Sequence, residues 1–404
     1  MVKKLVVLGF ELAMLFSLVA CNTDSLADYK TTAKATIQAY ADAKERDNYS
    51  AYRWAEVCNA VAVGKQAIDD AETKPQVDDV VTTTKENIDK VESTKELILP
   101  MEGAEEYTVG NGTEAYPYVI NTSGQLIHFS NQINKGEDNS AFFALGCDID
   151  LEGTEWTPIG IIANKCFNGV FDGRGYEVRN FCITHRLHNS SAENVGLFGR
   201  NTGTIRNVGV TNFEIDISWV YKFGFVLSVS SGGLVGSNAG DIENSYSIGN
   251  INLEYNGGAT ITSPAHIRAG GLVGYSTGKL FNCYSTVDVN AIYGNEAGTV
   301  YAAGLVVGGT VENCFVTGNV NSEYSYHTLG GESKVFSIGG ESFNSYSYEG
   351  QKIEASIHLS CSADDLNNVG FYTNELSWDA DIWDLENLYF TNGKYADNQH
   401  PRLK

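Results

Sequence analysis

The chain has 404 residues and a formal net charge of −23, with 42 glycines but only 6 prolines, and 22 tyrosines against 18 phenylalanines. That length holds two or more domains with a substantial core, and the composition suits strands joined by tight turns rather than disorder. So acidic a chain repels phosphate backbones, which excludes nucleic acid as a partner and fits a secreted, solvated surface.

At the N-terminus, Lys3 and Lys4 precede an apolar run from Leu5 to Ala20, interrupted by Glu11, that ends Leu18-Val19-Ala20-Cys21. The run is short for a membrane span and suits a signal sequence over residues 1–20. The tetrad LVAC resembles the bacterial lipobox. That resemblance implies that Cys21 carries lipid and holds the chain to the membrane. An ordinary cleaved signal or a short anchor helix are the other readings.

Residues 26–97 read as helical. Ala33, Ile37 and Ala41 line one face, Trp54, Val57, Val61 and Ile68 a second, and Val77, Val81, Ile88 and Val91 a third, each at three-and-four spacing. Pro75 suits a helix start. The expectation is a three-helix bundle within residues 21–97, similar to the FIVAR-type modules of bacterial surface proteins and acting as a spacer. A linker over 98–112, around Pro100, follows.

Beyond it, Tyr116 to Gly136 reads as a strand and a short helix with Leu126, Phe129 and Ile133 on one side. Further on, GGLVGSNAGDIENSYSIGNI (Gly232 to Ile251) has the glycine density of a phosphate cradle. However, Ile242, Tyr246 and Ile248 after the glycines are strand chemistry, and the stretch recurs. Leu197, Leu234, Leu272 and Leu305 step by 37, 38 and 33, and Asn207, Asn244, Asn282, Asn313 and Asn344 by 37, 38, 31 and 31. A fixed core with variable excess marks stacked units whose excess is looped out. The order PYVI, DIDL, WTPIG, FNGVFDGRG, GLFG and GGLVG resembles the GLUG-motif repeat proteins of bacterial surfaces, over roughly residues 107–404. The resemblance implies a right-handed parallel β-solenoid over 113–404, behind the helical module. The five asparagines would then stack at a bend, and Tyr246, Tyr284, Phe315 and Tyr346 would form an aromatic column. Which neighbour of each asparagine points inward stays open.

Motifs of chemistry are missing. No histidine begins an HExxH, and the cysteines show no metal spacing. Cys283 and Cys314 should stack on adjacent coils, as apolar fillers or as a bridge. Asp148, Asp150 and Glu152 mimic half a calcium loop, but Ile159 stands where the closing Glu belongs. Asp172 sits in a turn signal without a second acid pinned to its coil. No cofactor, metal or catalytic residue is assigned, and the chain is not expected to be an enzyme.

The looped-out excesses carry the site expectation. Ser218 to Ser230, Leu253 to Arg268, Ala291 to Tyr301 and Ser322 to Lys334 fall at equivalent points of the repeat. Trp219, Tyr221, Tyr255, Tyr293, Tyr324 and Tyr326 would offer flat faces to a surface glycan or to a protein of a host or neighbouring cell. Alternatively, the loops pack on the solenoid and bury those rings. The reading is a lipid-anchored, surface-exposed, adhesin-like binding protein of the bacterial cell envelope. A polysaccharide-processing β-helix enzyme and a purely structural envelope component are the alternatives.

Overall fold

The computed structural model describes residues 25–44, 51–91, 101–161, 163–184, 192–221, 228–257, 265–294, 298–324, 332–351 and 359–404. Cys21 and its tetrad lie outside them. The chain divides into two compact units, Met1–Leu97 and Ile98–Lys404.

In the first unit, α1 (Leu26–Asp42), α2 (Ala51–Asp70) and α3 (Lys74–Asp89) pack through two apolar clusters. One holds Ala33, Ile37, Ile68, Ala71 and Val77; the other holds Ala41, Val57, Val61 and Ile88. The start of α3 is set by its sequence. Thr73 accepts from the Gln76 N–H while the Gln76 side chain returns to Thr73, and Pro75 fills the first turn, where a missing N–H costs nothing. Among the described residues, no helix is long and apolar enough to cross a membrane.

The second unit begins earlier than a linker over 98–112 allows. Met101 packs on the core, and Tyr107 stacks on Tyr118 with ring centroids 4.7 Å apart. Those apolar side chains draw the stretch onto the first coil. Helix α4 (Ser123–Lys135) buries Leu126, Phe129 and Ile133 fully, with Phe129 against Phe143 and Phe171. Gly136 ends it in the left-handed conformation.

After α4 the chain winds into a β-solenoid. One coil runs through strands Ser228–Gly232, Val235–Asn238, Asp241–Glu243 and Tyr246–Gly257. The next coil lays a parallel strand beside each, in register: Ile242 beside Leu280, Val235 beside Val273, Tyr246 beside Tyr284. Among the described residues, the coils build sheets of eight, five, four and ten strands. Glycines stand where two sheets meet most closely. A Cβ on Gly236 would lie 2.4 Å from the Val195 nitrogen, and one on Gly274 the same distance from that of Ser231. No side chain fits there.

The bend asparagines form a ladder. Asn207, Asn244, Asn282, Asn313 and Asn344 all have φ between 44° and 55°. Each donates from Nδ2 to the Oδ1 below it: Asn244 to Asn207 at 3.1 Å, Asn282 to Asn244 at 3.2 Å, Asn313 to Asn282 at 3.3 Å and Asn344 to Asn313 at 2.8 Å. Asn tolerates the left-handed region and brings the amide that stacks, which explains the residue type. The column starts on Asp172, whose Oδ1 accepts from Asn207 at 3.0 Å. A second, buried ladder of Asn201, Asn238 and Ser276 closes another turn.

The residue after each ladder asparagine points inward, which settles the parity left open by the sequence. Cys283 and Cys314 are accordingly buried in the main core as free thiols, Cys283 N–H meeting Cys314 Sγ at 3.3 Å. The next residue points outward. Tyr246, Tyr284 and Phe315 stack at 4.9 and 4.8 Å, with ring planes within 7° of parallel. This column is nonetheless buried, because the segment after Cys361 leaves the solenoid path and covers it with Trp378, Trp383 and Leu403.

Candidate functional site

The segments expected as loops are, in the described residues, long strands that widen the coil. Strand Gly209–Tyr221 pairs with Tyr246–Gly257, which pairs in turn with Asp288–Tyr293 and, through it, with Val320–Tyr324. Residues 222–227, 258–264, 295–297 and 325–331, which also belong to those segments or adjoin them, lie outside the described residues.

This geometry corrects the tyrosine face. Tyr255 and Tyr293 are 1% and 0% exposed and stack on each other inside the core at 4.8 Å. The cause is the two-residue period of a strand. Ile251, Leu253 and Tyr255 share one parity, as do Val289, Ala291 and Tyr293, and that parity faces inward. Trp219 lies in register with Tyr255, Tyr324 with Tyr293, and Tyr221 with Gly257; their side chains, and all of Tyr326, lie outside the described residues. The six residues therefore do not make a shared exposed face.

The opposite parity makes a different surface. Asp216, Asn252, Asn290 and Asn321 form one outward row, with Nδ2-to-Oδ1 bonds of 2.7, 2.7 and 2.8 Å from coil to coil. Asn250, Asp288 and Asn319 form a second row alongside. Asn319 donates its backbone N–H to Asp288 Oδ1 at 2.8 Å and its amide at 3.1 Å. Lys394, on the covering segment, pairs with Asp288 Oδ2 at 3.1 Å. Apart from Asp216, the rows line a shallow depression of about 580 Å³ across three coils, floored by Ile251, Val289 and Val320. The signal is present in the sequence: EID, NIN, DVN and NVN repeat a polar residue on either side of an apolar one. Weighing aromatic residues alone passes over it.

The acids with the look of chemistry hold the fold together. Asp150 accepts from the Asn180 amide at 2.7 Å and the Glu152 N–H at 2.9 Å; these bonds, with Arg179 beside it, hold its carboxyl below the usual range. Asp148 accepts from the Glu177 N–H at 3.0 Å. Asp172 accepts from the Arg174 N–H and pairs with Arg206 at 2.9 Å. Among the described residues, no cluster of three or more His, Cys, Asp or Glu could hold a metal ion.

A buried polar cluster clasps the covering segment. The Tyr246 hydroxyl donates to Glu177 at 2.6 Å, and Arg402 lies 3.6 Å from the same carboxylate oxygen. Burial, and then the Glu177 charge, push the Tyr246 hydroxyl well above its usual range. The Tyr284 hydroxyl donates to the Pro401 carbonyl at 2.7 Å and lies 2.8 Å from His400 Nδ1. Burial lowers the His400 pKa, so the folded state keeps the ring neutral to lower pH than the unfolded chain does. In the unfolded chain it titrates near about 6.5. The unfolded state therefore binds more protons below that pH, and this contribution to stability is lost as the pH falls through the folded value. Tm of the wild type should drop further than that of His400→Asn between about pH 7.5 and about pH 5.5. Equal drops in thermal melts would show that His400 does not titrate with unfolding.

Comparison with known proteins bears on the coils. The GLUG motif matches residues 265–290, which are one coil of the solenoid. A 143-residue stretch is 32% identical to a protein of Evansella cellulosilytica described as a "Putative Gly-rich membrane protein". That match covers 33% of this chain and 15% of the relative, so the chain spans a small part of its length. A solved structure of a "putative immunoglobulin A1 protease" from Bacteroides ovatus is similar with a TM-score of 0.47 and 18% identity, over 72% of this chain and 94% of that one. The chain thus carries a GLUG motif in one coil of a parallel β-solenoid.

Proposed function

We propose that the chain is a binding protein of the bacterial cell envelope, anchored by lipid on Cys21 and exposed at the surface. In this reading the FIVAR-like helical module is a spacer, and the right-handed solenoid presents a ligand face in the manner of an adhesin. The observation that carries it is the amide-lined depression, which repeats one polar pattern over three coils and is built on strands paired in register. The name of the Evansella relative supports an envelope location. A binding role fits better than an enzyme, because Asp148, Asp150 and Asp172 are engaged in turns and ladders.

Cys21→Ser tests the anchor. The wild type should partition into detergent with the membrane fraction and the variant should be released; equal partitioning would contradict the lipid. Cells displaying the chain should also adhere where cells lacking it do not, and equal adhesion would contradict the binding role.

A further inference from the structure

We infer that the depression binds a neutral polysaccharide laid across the coils; this rests on the binding role proposed above and names its ligand. A primary amide has two N–H donors and two acceptor lone pairs. The ladder uses one N–H and one lone pair each of Asn252 and Asn290, at 2.7 Å and 2.8 Å in the upper bonds. One donor and one acceptor remain on each, on the outward side of the sheet. They recur at the strand spacing of about 4.8 Å, the scale of a single sugar ring. Hydroxyl groups donate and accept at once, so a hydroxyl-rich chain matches such a mixed surface.

Charge narrows the class. Among the described residues, Asp288 is the one carboxylate lining the depression, and Lys394 and Asn319 meet it. The site is locally balanced, while the net charge of −23 repels polyanions. A protein partner is disfavoured because interfaces centre on aromatic and arginine anchors, and none of the described residues lining the depression is of that kind.

The test uses the full-length chain in detergent, with affinity gels containing xylan or dextran (neutral), polygalacturonate (anionic) or chitosan (cationic). A neutral polymer should retard the wild type. Asn252→Ala with Asn290→Ala should weaken binding at least about tenfold, with the chain still folded at the assay temperature by circular dichroism. Asn319→Arg, at an exposed position, should do the same by filling the depression. Neutral binding that both variants retain would overturn the site. Retardation only by a charged polymer, or cell adhesion without retardation by any polymer, would overturn the ligand class and leave the binding role standing. Neither retardation nor adhesion would overturn both.

Discussion

Tyr293→Ala should destabilise the second unit by about 3–5 kcal/mol, the range for truncating a large aromatic in a closed core. Tyr293 is fully buried, and its ring stacks on Tyr255 with planes 8° apart, so the cavity opens between two coils. The coils above and below are held in register by their own strands and cannot collapse into it. Tyr389→Ala, at a ring 53% exposed, should stay within about 0.5 kcal/mol of the wild type. Calorimetric melts of the two variants check this, and equal shifts would place Tyr293 at the surface.

Asn282→Ala combines two losses. The amide bonds to Asn244 and Asn313 go, at about 1–3 kcal/mol for a buried partner left unpaired. An alanine must also hold φ near 54°, which costs roughly 1–2 kcal/mol. Asn282→Gly separates the two contributions, since glycine accepts the dihedral but brings no amide. Stability should therefore fall in the order wild type, Gly, Ala. Asn398→Ala, at an exposed position with φ 58°, reports the backbone cost alone. An Asn282→Gly variant as stable as wild type would reduce the ladder to a backbone device.

The solenoid was legible because its repeat is chemical as well as periodic. Asn207 through Asn344 announce both a left-handed bend and a stack, and Gly236 and Gly274 announce the close approach of two sheets. Residue type misleads at the site. Tyr255 and Tyr293 look like surface rings in polar, glycine-rich sequence, yet Ile251-x-Leu253-x-Tyr255 already gives their parity. The assumption that excess length loops out hides the long strands that carry that parity. The cover over Tyr246 and Tyr284 was not legible. It depends on Trp383 and His400 arriving from far along the chain, and no local pattern encodes that contact.

Everything proposed for the site depends on the amide row of the long strands facing outward and the tyrosine row inward. Cysteine scanning from residue 288 to 293, read by maleimide labelling of the folded chain above the background of the native thiols, tests that arrangement most directly. Asp288→Cys and Asn290→Cys should label fast, while Val289→Cys, Ala291→Cys and Tyr293→Cys should label only on unfolding. Fast labelling at Tyr293→Cys with protection at Asn290→Cys would contradict the arrangement and restore the aromatic face.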